Sequence, residues 1–119
     1  MKNESCLMEL HIDFDKYTDG DLDFQRELVS LIATDIMELH RSIVNAFKLN
    51  DPEILRRGCH KAATTLEMID DPELTSLINE LKGKMEKAKI NKSPVSEAEV
   101  LPLYKFFNEM AKSIARLNE

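Results

Sequence analysis

The sequence predicts an all-α protein, an up-and-down four-helix bundle preceded by a short N-terminal helix. Three observations carry that expectation. Apolar residues recur at spacings of three and four along several separate stretches, the pattern of a single buried helical face. The pairs Asp51-Pro52 and Asp71-Pro72 punctuate those stretches, each a candidate N-cap followed by proline at the first helical position. Only 3 Gly, 4 Pro and no Trp occur among 119 residues that are 43% hydrophobic and 32% charged, which excludes collagen-like, disordered and disulfide-rich classes.

The length fits one domain over residues 1–119, with an N-terminal element at 1–20 and a bundle over about 21–118. A chain of this size buries about two thirds of its unfolded area and folds without a disulfide or structural metal. The N-terminal element contains Leu7, Met8, Leu10 and Phe14. Thr18-Asp19-Gly20-Asp21 then reads as a turn with Asp21 as N-cap, and a long helix is expected from Leu22 to about Leu49. Its apolar face is Leu28, Leu31, Ile32, Ile36, Leu39, Ile43, Ala46 and Phe47, interrupted only by Asp35.

Asn50-Asp51-Pro52 stops that helix and starts another, expected to run unbroken to about Ile69. Asp70-Asp71-Pro72-Glu73 repeats the punctuation before a stripe of Leu74, Leu77, Ile78, Leu81, Met85 and Ala88. Ile90 to Ser96 reads as a loop containing Pro94, and Ser96 with Glu99 resembles a capping box. The last stripe is Val100, Leu103, Phe107, Met110, Ile114 and Leu117; Pro102 should distort a helix already running, so regular structure is expected only from near Pro102. Short links make neighbouring helices antiparallel.

Charge and motifs exclude several functions. The net charge of −6 gives no general attraction to nucleic acid or an anionic membrane. No Gly-rich phosphate loop is present, which argues against an ATP-using kinase, and no G-x-S-x-G elbow occurs. A bundle di-iron site needs Glu-x-x-His pairs, whereas Glu9-Leu10-His11 and Glu38-Leu39-His40 have the wrong spacing. Cys6 and Cys59 fit no metal or redox spacing and read as free thiols of a reducing compartment. Met-Lys-Asn-Glu-Ser leads into no long apolar run, so neither signal peptide nor membrane span is expected, and a cytoplasmic, soluble, monomeric protein is the reading.

The three histidines differ in kind. His11 falls in the N-terminal segment as a surface residue, and His40 lies at the edge of the core stripe as a packing or hydrogen-bonding residue. With Leu55 at zero on the helical wheel, Cys59, Ala62, Leu66 and Ile69 lie within about 40°, and His60 falls about 140° away, toward solvent. Its neighbours one turn away are Arg56 and Arg57 behind and Ala63 and Thr64 ahead. A joint metal site of Cys59 and His60 fails, because Cys59 is expected to point coreward while His60 points out.

Phe14-Asp15-Lys16-Tyr17-Thr18-Asp19-Gly20-Asp21, Asn50-Asp51-Pro52-Glu53-Ile54-Leu55 and Gly58-Cys59-His60-Lys61-Ala62-Ala63-Thr64-Thr65-Leu66 together resemble the histidine-containing phosphotransfer (HPt) domains of multistep two-component phosphorelays, over Phe14 to Ala88. The resemblance implies a four-helix bundle with an exposed phosphoaccepting histidine, matched by His60. It implies a phosphoryl carrier without kinase activity of its own, which exchanges the group with aspartates of response-regulator receiver domains and of a hybrid sensor histidine kinase. No cofactor is expected on this chain; magnesium would sit on the receiver.

Two departures from the family pattern stand out. The usual lysine three residues after the histidine is Ala63, followed by Thr64 where a small residue, often Gly, is common, and the usual Gly ten residues after the histidine is Asp70. A phosphoryl group carries close to two negative charges, and Arg56, Arg57 or, less favourably placed, Lys61 would have to screen it. The partner patch would add Glu53, Ala63, Thr64 and Glu67. The rival expectations are a phosphotransfer-inactive helical adaptor that binds receiver or kinase domains, and a plain bundle with a small-ligand or regulatory role.

Overall fold

The computed structural model describes Leu10 and residues 12–117. Among the described residues there are six helices and no strand: α1 (Phe14–Thr18), α2 (Leu22–Leu49), α3 (Pro52–Lys61), α4 (Ala63–Ile69), α5 (Pro72–Asn91) and α6 (Glu97–Arg116). The expected all-α class is therefore observed. Cys6, Leu7, Met8 and His11 lie outside the described residues.

Side-chain caps set most helix starts, because the first amides of a helix have no partner within it. Asp21 Oδ1 accepts from the Phe24 amide at 3.0 Å and opens α2. Asp51 Oδ1 accepts from Glu53 at 3.0 Å, with Pro52 at the first helical position of α3. Asp71 Oδ1 accepts from both Glu73 and Leu74 at the start of α5. Helix ends are made by left-handed residues: Asn50 (φ 50°) closes α2 and Asp70 (φ 46°) closes α4, both side chains that tolerate that conformation.

α2 packs against α3 on one flank and α6 on the other, α5 packs against α6 and α3, and the short α1 packs on α2. The core at their centre includes Ile32, Ile43, Leu55, Leu74, Met85, Val100, Phe107 and Met110, each at most 1% exposed.

Four local expectations are corrected. The segment from Pro52 to Ile69 is two helices, interrupted at Ala62 (φ −93°, ψ 9°). No Gly or Pro marks the break; it falls between two attachments to α2, Gly58 against Ser42 and Thr65 bonded to Asp35. Leu31 is 58% exposed while Val29 is 3% exposed, so the buried face of α2 turns toward Val29. Ile90 and Asn91 belong to α5, which ends only at the left-handed Lys92 (φ 57°), whose amide donates to the Ala88 carbonyl.

The last correction concerns α6. The helix is regular from Glu97, because the Ser96–Glu99 capping box forms, with Glu99 Oε2 accepting from the Ser96 amide at 2.9 Å. Pro102 lies inside the helix and lacks the N–H that would pair with Ala98. Both residues are exposed, so water can satisfy the carbonyl left over.

Gly58 fixes how closely α3 approaches α2. A Cβ there would lie 2.6 Å from Ser42 Cβ and 2.9 Å from Ser42 Oγ. Gly58→Ala is therefore expected to cost about 1–3 kcal/mol, as overpacking of a tight contact does. Urea unfolding checks this, and adding Ser42→Gly should recover part of the loss by removing the atoms that clash.

Candidate functional site

The site is built on α3 and α4, and the buried residues decide which way His60 faces. Leu55, Gly58, Ala62, Thr65 and Ile69 are buried at spacings of three and four, which turns the opposite side of the segment to solvent. His60, in the last turn of α3, lies on that opposite side and is exposed. Exposed with it are Arg56, Arg57, Lys61, Ala63, Thr64 and Glu67.

The backing of this face is held to α2 at two points on either side of the histidine. Before it, Gly58 sits against Ser42. After it, the Thr65 hydroxyl, 2% exposed, donates to Asp35 Oδ2 at 2.6 Å. The single polar interruption in the apolar stripe of α2 is thus a half-buried carboxylate with a defined partner. Sequence reading missed this pairing, because nothing in one dimension joins residues thirty positions apart.

Chain neighbours of His60 line two depressions, Lys61 one and Cys59 the other. On the α2 side a small cleft of about 80 Å3 is lined by Asp35, Glu38, Ser42 and Lys61 among others. On the α5 side a shallow groove of about 350 Å3 includes Cys59, Ala63, Glu67, Asp70 and Lys82. Cys59 is half-buried: it packs against the core, as expected, and also lines this second groove, while Gly58, one residue earlier, is buried. Burial pushes the Cys59 thiol above its ordinary value, and the charge of Lys82 partly offsets this.

The cations proposed from sequence are not equivalent. Arg56 Nη2 lies 2.8 Å from Glu53 Oε1, an i,i+3 pair on the exposed surface. The guanidinium is thus already engaged, and Glu53 is tied up in the same contact. Lys61 lies on the α2 flank, in the cleft with the carboxylates of Asp35 and Glu38. Arg57, exposed, precedes His60 by three residues.

His40 is a different kind of residue. Its ring stacks on Phe107 at 5.0 Å and 18° and tilts against Tyr104 at 5.4 Å, so it packs α2 on α6. It also lines a third groove of about 370 Å3 between those helices, with Ala33, Met37, Phe107 and Ala111. Burial pulls the His40 imidazole below its ordinary 6.5. The unfolded chain then binds a proton that the folded one resists, so the stability present above pH 6.5 is lost as pH falls through the folded-state value. Urea midpoints should drop more for wild type than for His40→Gln between about pH 7.5 and 5.5, because only wild type carries this proton linkage.

Among the described residues no group of three or more His, Cys, Asp or Glu could hold a metal ion, and no helix is long and apolar enough to cross a membrane. No family model, curated protein or solved structure matches the chain.

Proposed function

We propose that this chain is a histidine phosphotransfer protein that shuttles a phosphoryl group between receiver-domain aspartates of a multistep two-component phosphorelay through phospho-His60. The observation that carries the reading is the setting of His60: an exposed imidazole on a face anchored before and after it to α2, with only a methyl group at Ala63 one turn on. The neighbour relations of α2, α3, α5 and α6 suit an up-and-down four-helix bundle, with α4 continuing the α3 corner and α1 as the short leading helix. The chain acts as a cytoplasmic monomer in this reading.

A neutral imidazole is a competent nucleophile at about pH 7. The lone pair of the outer ring nitrogen attacks phosphorus of the aspartyl phosphate. The N–P bond forms as the P–O bond breaks, and that electron pair returns to the aspartate as carboxylate. The second nitrogen keeps its proton throughout, and attack by a second receiver's carboxylate on the phosphoimidazole reverses the sequence. The receiver supplies magnesium and the acidic pocket that stabilises the transferring group, so His60 reacts only in the complex. The surrounding Arg56, Arg57, Lys61, Ala63, Thr64 and Glu67 form a mixed-charge docking rim suited to brief encounters with receiver and hybrid-kinase domains.

Receiver domains preloaded with phosphate in the presence of magnesium test this reading against the adaptor. The shuttle requires loss of the receiver's acyl phosphate to be matched by acid-labile, alkali-stable phosphate on this chain, with none on His60→Gln. Binding that is indifferent to His60→Gln and to magnesium, without any transfer, contradicts the shuttle and identifies an adaptor.

A further inference from the structure

We infer that Lys82, on α5, is the cation that screens a phosphoryl group on His60, reaching it across the small side chain of Ala63. The inference rests on the reading of His60 as phosphoacceptor and assigns a residue that lies outside the histidine helix altogether.

A phosphoryl group adds about two negative charges and three acceptor oxygens to an imidazole on the surface, and these require positive charge nearby. Helical geometry puts Arg57 and Ala63 about 60° to either side of His60, Arg57 toward Lys61 and α2, Ala63 toward Cys59 and α5. On the α2 side the lysine already shares its cleft with Asp35 and Glu38. Arg56 is paired with Glu53 at 2.8 Å. Neither Lys61 nor Lys82 forms an ion pair among the described residues, and each shares its depression with two carboxylates; what separates them is that Lys82 lines its groove together with Ala63, one turn on from His60.

Two further features support the assignment. Lys82 is half-buried and lines the groove, and a lysine's flexible four-carbon stem can bring its ammonium to a phosphate oxygen. Lys82 and Cys59 line the same groove, and the lysine's positive charge partly offsets the rise that burial imposes on the Cys59 thiol. Glu67 and Asp70 line the same groove. Their charges would repel a phosphoryl dianion, and Lys82 is the opposing charge on that flank. The exposed Ala63 carries only a methyl group, which leaves space through which Lys82 can approach.

The test compares wild type, Lys82→Gln, Lys82→Arg, Arg57→Gln and Lys61→Gln, with His60→Gln as control, using phosphoramidate as donor. Intact mass follows the rate at which the adduct forms, and the half-life of the isolated phosphoprotein follows its stability. Loss of one cation near a partly screened dianion should slow formation and shorten the half-life by about three- to tenfold in Lys82→Gln. Lys82→Arg should restore both, and Arg57→Gln and Lys61→Gln should change them by less than about twofold.

Titrating the Cys59 thiol with an alkylating reagent provides a readout that needs no phosphate: its pKa should rise in Lys82→Gln. Equal urea midpoints exclude a loss of fold. Wild-type kinetics in Lys82→Gln, with an adduct that disappears in His60→Gln, overturns the role of Lys82 and leaves the phosphoacceptor standing. A larger effect from Arg57→Gln or Lys61→Gln moves the role to the α2 flank and also overturns it. An absence of adduct on wild type removes the reading of His60 and this inference with it.

Discussion

Phe107→Ala is expected to cost about 3–5 kcal/mol, a large part of the 5–15 kcal/mol that holds a typical domain folded. Phe107 is 1% exposed, and one of its faces carries the His40 ring at 5.0 Å. Truncation removes the aromatic contact and joins the vacated volume to the groove that already runs between α2 and α6. His40 then loses the surface that keeps water from one side of its ring, so its imidazole should titrate closer to the ordinary 6.5 in the variant. Urea unfolding gives the first quantity and proton NMR of the His40 ring the second. Leu101→Ala is the control on the same helix: at 43% exposed it should change stability by less than about 0.5 kcal/mol.

Local chemistry was legible in the sequence wherever a residue acts on its own neighbours. Asp21, Asp51, Asp71 and Ser96 mark helix starts because each side chain accepts from amides two or three residues on. The exposure of His60 was legible for a similar reason, since it follows from the 3.6-residue period alone.

What the sequence hid depends on contacts between distant segments. Gly58 carries no hydrophobic signal, and only the closeness of Ser42 on α2 explains the glycine. The break at Ala62 has no local breaker, and its position follows from attachments to α2. Lys82 reads in sequence as one of several lysines on α5, and the groove it shares with Cys59 and Ala63 arises only when α5 packs on α3. Pro102 misled in the opposite direction: a local penalty was expected to delay α6, but the capping box and the buried Val100 and Leu103 hold the helix through it.

His60→Gln carries the largest functional effect expected of any substitution. Glutamine keeps a polar, similarly sized side chain at an exposed position, so stability should change by less than about 0.5 kcal/mol. The nucleophilic ring nitrogen is lost outright, and among the described residues neither the other histidine nor the cysteine can take its place: His40 is stacked between α2 and α6, and Cys59 is a half-buried thiol whose ionisation burial opposes. Phosphoryl acceptance should therefore fall to background while the fold persists. That separation of fold from transfer distinguishes a phosphoacceptor from a structural histidine, whose replacement would lower stability first.

The most direct measurement is incubation of the purified protein with phosphoramidate, followed by intact mass and phosphorus NMR at alkaline pH, on wild type and His60→Gln in parallel. The account predicts one phosphoryl adduct on wild type, acid-labile and alkali-stable, with a phosphorus shift typical of phosphohistidine and no counterpart in the variant. An adduct that persists in His60→Gln, or a wild-type protein that accepts none, would contradict it.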